Sequence, residues 1–274
     1  MPFIKHAKLL FIVIIYGAVL STTARASDHR HLSEFVVKFG ILEVGRANFD
    51  IRYGEGNYAL AGSGKTAGLA QWFSQTKGSF NSKGTVESLK PKPKFDRVAV
   101  KEKGKPAESV QLAFTDNAVT DVKIKSNKKK KKRGKKNYIV LEDKHKRDVM
   151  DPVSTLLLPI KVGNANDGRK VCSKRSPIFD GETRYDIRLR YKYTKPIRTK
   201  GYNGNAYVCT MRYVPVAGHR KNHRGVMEMA ANKDMEVWLA PMGNGEYFTA
   251  IKFRIATKYG TFIAEPLFFG SPSS

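Results

Sequence analysis

The stretch Arg184-Tyr-Asp-Ile-Arg-Leu-Arg-Tyr-Lys-Tyr193 alternates without a break between charged and apolar side chains. In an extended chain Tyr185, Ile187, Leu189, Tyr191 and Tyr193 share one face, and Arg184, Asp186, Arg188, Arg190 and Lys192 share the other. A period of two marks a strand with one buried face. Five bulky side chains in a row are more than an uncovered sheet tolerates, so protein or ligand has to lie against them. The same alternation recurs at Phe49, Ile51 and Tyr53, at Val110, Leu112 and Phe114, and at Ile251, Phe253 and Ile255.

Gly-rich stretches separate these runs: Gly54 to Asn57, Gly62-Ser63-Gly64, Gly201 to Gly204 and Gly243-Asn244-Gly245. Strands joined by short turns are antiparallel neighbours. The predicted fold is therefore all-β: a single, strongly curved antiparallel sheet that forms an open, unclosed barrel. Only Asp151-Pro152 opens a convincing helix, with Val153 to Leu158 as its apolar body and Pro159 as its stop. A short apolar helix is suited to cover the concave face of such a sheet, which places Leu156 and Leu157 at the mouth or floor of the curl.

The region 125–137 is different in kind. It holds Lys128, Lys129, Lys130, Lys131, Lys132 and Arg133 and almost nothing apolar. Charges this dense repel one another, so the sequence predicts a disordered loop between two strands. Interleaved aromatics for base stacking are missing, and the run is not read as a nucleic-acid site. It reads either as a solvated loop with no partner or as a contact for anionic envelope polymers or a membrane surface.

The N-terminus sets the expected compartment. Lys5 and Lys8 precede an apolar run from Leu9 to Leu20, and Ala24-Arg25-Ala26 supplies the small-x-small pattern of a signal peptidase site. Twelve apolar residues span about 18 Å as a helix, short of the roughly 30 Å of a bilayer core. Residues 1–26 are expected to be a signal peptide cleaved before Ser27. No cysteine follows the run, so lipid attachment is not expected. Residues 27–274 would then be one exported β-domain in the periplasm. The full chain of 274 residues carries +26, and removing the three basic residues of the leader would leave +23.

Cys172 and Cys209 are the two cysteines of the chain. In an oxidising compartment two thiols form one structural disulfide. A reactive or metal-binding pair would need a Cys-x-x-Cys spacing or a nearby histidine, and neither is present.

Two motifs invite a catalytic or ligand reading. Ala59 to Thr66 fits a loose phosphate-binding loop ending in Gly64-Lys65-Thr66, but the first glycine is replaced by Ala59 and the segment after it is Gly-broken. A Gly-rich hairpin turn is the expectation. His219 and His223 have a spacing that holds zinc on a helix, but Arg220, Lys221 and Arg224 would repel a dication. No nucleophile elbow or paired-acid arrangement is visible, so no catalytic residue, metal or cofactor is expected.

Several stretches together resemble a known family. They are Phe39-Gly-Ile-Leu-Glu-Val-Gly45, Asp151-Pro-Val-Ser-Thr-Leu156, Cys172 with Phe179-Asp180-Gly181 and Tyr185-Asp186-Ile187, and Ala206 to Cys209 with Tyr213, Pro215 and Ala217-Gly218. In this order they resemble an uncharacterised family of exported proteobacterial proteins, a rhizobial-type domain of unknown function, over about residues 35–268. The resemblance implies a curved sheet like that of the LolA and LolB lipoprotein carriers, with an apolar cavity under short helices. It carries no catalytic residues across, and the lysine insertion departs from its pattern.

The expected function is non-enzymatic: binding of a hydrophobic or lipid-bearing ligand in the concave side, with Tyr185, Ile187, Leu189, Tyr191, Leu156 and Leu157 facing it. Lipid or lipoprotein would be the partner. The alternative is an envelope scaffold that acts through its basic surface, and an unrecognised hydrolase is a distant third. Oligomeric state is not legible.

Overall fold

The computed structural model describes residues 29–72, 74–127 and 137–272. The expected signal peptide, residues 1–26, and the run from Lys128 to Arg133 lie outside the described residues. Fourteen strands form one antiparallel sheet. The N-terminal seven are β1 (His29–Phe39), β2 (Leu42–Gly54), β3 (Asn57–Thr66), β4 (Thr76–Glu87), β5 (Lys90–Glu102), β6 (Glu108–Thr115) and β7 (Ala118–Lys125). After a long connection come β8 (Leu158–Pro159), β9 (Arg175–Phe179), β10 (Arg184–Thr199), β11 (Tyr202–Ala217), β12 (Met235–Met242), β13 (Tyr247–Thr257) and β14 (Gly260–Gly270).

Each strand pairs with its sequence neighbours, with two exceptions. β14 pairs with β1, which joins the two halves in the middle of the sheet, and the two-residue β8 lies off the main path on β13. The free edges are consequently β7 and β9. Curling brings them together: Phe179 at the end of β9 packs with Leu112 and Phe114 of β6. Among the described residues no ladder joins them. Instead the connecting chain straps the seam through single bridges, Ala118 to Arg147 on one side and Met150 to Ile178 on the other. The sheet is an open barrel.

The interior is filled from the connection and from the β12–β13 hairpin. Val153, Leu157 and Met242 pack against Ile51, Tyr53, Tyr58 and Leu60 of β2 and β3. β12 is buried on both faces. Val237 and Leu239 join the cluster around the cysteines, while Trp238 and Ala240 pack under Ala206, Val208 and Phe269.

The expected helix at Val153 to Leu158 is a single 3-10 turn, Ser154–Leu156, because Leu158 and Pro159 are drawn into pairing with β13. Two helices were not expected from the sequence: α1 (Gly168–Val171) and α2 (Arg224–Ala231). Gly62-Ser63-Gly64 is not a turn. It lies inside β3, hydrogen-bonded on both sides to β2 and β4.

Candidate functional site

Register determines what the inner face presents. Residues directly opposite in a ladder share a face. Ile51, Leu60, Ser82 and Asp96 form one inward row. Four residues away along the strands, Phe35, Ala47, Gly64, Gly78 and Val100 form another on the same side. A trough of about 600 Å³ follows this second row, with Leu267 and Ala107 at its ends.

The glycines explain why it is open. Neither Gly64 nor Gly78 has a positive φ, so no backbone conformation requires glycine there. A Cβ on Gly64 would meet nothing closer than the Arg46 carbonyl at 3.5 Å, and one on Gly78 nothing closer than the Ala99 carbonyl at 3.6 Å. The missing side chains leave space. Gly62 is different, since a Cβ there would fall 2.3 Å from the Phe80 ring that covers it. The edge of the trough carries Arg46, Lys65, Lys77 and Lys101 with Glu34.

The phosphate-loop motif of Gly64-Lys65-Thr66 is therefore built into a ladder. Its amides pair with neighbouring strands and cannot cradle a phosphate. His219 and His223 flank the entry to α2, and among the described residues no cluster of three metal-ligating side chains forms.

The six residues expected to face a ligand fall in three places. Tyr185 and Ile187 line an apolar groove of about 420 Å³ with Met211, Tyr213 and Met235, roofed by Val226 and Met229 of α2. Leu189 and Tyr191 pack against the core around the cysteines. Leu156 and Leu157 belong to the filled interior, where Leu157 is 1 % exposed. Tyr193 leaves the row because a bulge between Tyr191 and Tyr193 turns it outward. On the opposite face Asp186 is buried and takes Arg184 and Arg175, each at 2.7 Å.

Cys172 and Cys209 are bridged, with Cα atoms 5.6 Å apart. The bond fixes the end of α1 to β11. The N-terminus of α1 is capped by the Asp167 carboxylate, which accepts the Arg169 amide at 2.9 Å.

Periodicity gave no sign of a buried polar cluster inside the curl. Asp151 accepts the Ser154 amide at 2.8 Å and the Ser154 and Ser82 hydroxyls at 2.5 and 3.1 Å. The Tyr58 and Ser154 hydroxyls share a hydrogen bond of 2.7 Å. Asp96 is buried beside them, and burial together with the nearby Asp151 charge pushes its carboxyl up to about 9. Burial also raises Asp151 and Tyr58. The one available signal was Asp151 in the Asp-Pro-Val-Ser motif, which reads as a helix start. Its partners Ser82 and Asp96 come from strands 55 or more residues away.

A curled, unclosed antiparallel sheet with an interior trough defines a β-barrel-like architecture. Residues 34–265 match the family described as "Protein of unknown function (DUF3108)", and the chain belongs to it. No curated protein matches the chain. Among solved structures it is similar to the "Beta-barrel-like Protein of Domain of Unknown Function DUF1849 from Brucella abortus", with a TM-score of 0.53 and 10 % identity over 89 % of this chain and 98 % of that one. At that identity the likeness concerns the fold alone.

Proposed function

We propose that this protein is a non-catalytic component of the bacterial envelope, exported to the periplasm, that holds a hydrophobic or lipid-bearing ligand in the trough. The carrying observation is the open row at Gly64 and Gly78, where side chains would fit and are absent, beside the small Ala47. About 600 Å³ lies within the range of small-ligand sites. The basic edge suits a ligand with an apolar body and an anionic head. The apolar run ending in Ala24-Arg25-Ala26 and the disulfide are compatible with export, and any likeness to the lipoprotein carriers is one of architecture alone. A non-catalytic role is supported by the polar cluster at Asp151 and Ser154. Both residues are fully buried, so substrate has no route to them.

A second reading, an envelope scaffold acting through its basic surface, draws support from the interior packed around Leu157 and Met242. One experiment separates the two. The delipidated protein is titrated with a fluorescent fatty acid in vesicle-free solution. Gly64→Leu and Gly78→Leu should fold normally and weaken uptake about tenfold or more, since an inserted side chain occupies the trough. Wild-type protein that takes up no probe, or leucine variants that bind as well as wild type, would leave the scaffold reading standing.

A further inference from the structure

One end of the curled sheet carries the β1–β2 turn, the β13–β14 turn and the β11–β12 connection with α2. Turn tips normally present polar side chains to water. Here Ile41 is 94 % exposed, Tyr259 70 % and Met227 57 %, with Leu42 and Phe262 also exposed. The three segments are contiguous. The Gly40 amide donates to the Thr261 carbonyl at 2.9 Å, and the Phe39 and Phe262 rings meet at 4.7 Å. Lys258 of the β13–β14 turn binds Glu228 of α2, and the Asn232 side-chain amide donates to the Ala256 carbonyl at 2.8 Å. α2 is amphipathic and has no buried residue, and Met227 is not among the side chains that line the groove roofed by Val226 and Met229.

A second, independent feature lies close by. Arg46, Lys65, Lys77 and Lys101 stand directly opposite one another across four consecutive strands. Like charges facing each other in a ladder destabilise a sheet. Glu43 holds Arg46 at 2.7 Å, which leaves three lysines in line on β3, β4 and β5. The row lies four residues, about 13 Å, along β2 from Leu42. An anionic surface would relieve the repulsion, and exposed apolar tips beside a cationic row complement an anionic membrane interface.

We propose that this end of the sheet docks on an anionic lipid bilayer. Ile41, Tyr259 and Met227 enter the layer between headgroups and acyl chains, and Lys65, Lys77 and Lys101 lie over the lipid phosphates. Docking does not depend on the trough holding a ligand. Its test uses vesicles, whereas probe uptake is read without them, so either can fail alone.

Both cysteines of the chain are in the disulfide, so Ile41→Cys provides a single labelling site for an environment-sensitive fluorophore. Leu89→Cys, in the β4–β5 turn at the opposite end, is the control. Protein recovered after export is titrated with vesicles of phosphatidylglycerol and phosphatidylcholine. The fluorophore should shift to the blue at position 41 and not at position 89. The triple variant K65Q/K77Q/K101Q should need more than about tenfold more lipid for half-saturation, while its melting temperature stays level or rises. Pure phosphatidylcholine should bind more weakly than the mixed vesicles. No shift at position 41, an equal shift at position 89, or a triple variant that binds like wild type would overturn the proposal. Self-association abolished by Ile41→Asp would overturn it as well, by assigning the tips to a second copy.

Discussion

Asp96 and Asp151 place two carboxyl groups in the interior, where a charged form is costly and a protonated one can still hydrogen-bond. The Asp96 carboxyl, pushed up to about 9, stays protonated in the fold at neutral pH, whereas in the unfolded chain it ionises near 3.8. The folded state therefore binds more protons between these values. Its contribution to stability is complete below the unfolded pKa and is lost as pH rises through the folded one. We predict that Asp96→Asn flattens the fall in melting temperature between pH 6.5 and 9 and raises it at the alkaline end. Parallel wild-type and variant curves over that window would contradict this. His31 acts in the opposite sense: burial lowers it to about 4, so its contribution fades as pH drops from 6.5 toward 4. A stability profile measured below pH 6.5 consequently mixes the two, and the test belongs above it.

Elements here are stabilised by what crosses between them. α1 is a four-residue helix, too short to persist alone, and the Cys172–Cys209 bond holds it on β11. The bond closes a loop of 37 residues, for which chain entropy gives about 3.8 kcal/mol. Cys209→Ser or a reductant should lower stability by that order in chemical denaturation, and native protein should show no free thiol on labelling. The 3-10 turn at Ser154–Leu156 presents Leu157 to the inner faces of β2 and β3. Leu157→Ala should cost roughly 2–5 kcal/mol, because neighbours on three elements cannot collapse into the space. A loss below about 1 kcal/mol would mean that this interior is more loosely packed than the contacts show.

At the scale of the molecule, the seam between β7 and β9 decides whether the sheet keeps its curl. The Asp148 amide donates to the Asn117 carbonyl at 2.7 Å, and the Met150 amide to the Pro177 carbonyl at 2.9 Å. Gly181, just beyond β9, has a φ of +98°, and a Cβ there would lie 2.6 Å from a Val110 methyl of β6. It needs glycine both for its backbone and for the close approach of the two edges. Gly181→Ala should therefore destabilise by more than about 1 kcal/mol. Amide exchange should rise first at β6, β7 and β9. Uniform loss of protection over all strands would show that the seam has no separate role.

Period-two alternation and interspersed glycines were sufficient to read a curled antiparallel sheet, because a strand's facing is local: each side chain's face follows from its neighbour's. The two cysteines were legible for a similar reason, since only one pairing exists. Facing alone does not say what covers a face. Tyr185 to Tyr191 read as one wall, yet the sheet divides them between the groove under α2 and the disulfide core. Leu156 and Leu157, read as a mouth or floor, fill the interior instead. Gly62 and Gly64 carry no local signal that distinguishes a turn from a strand, and the row that Gly64 shares with Gly78 exists only once β3 and β4 are in register. The Asp96–Asp151 cluster and the Lys65–Lys77–Lys101 row depend on pairings between distant segments in the same way. Residue type and period fix which way each side chain points; which distant side chains it then meets is decided by register and curvature, and those are set by the packing of the whole sheet.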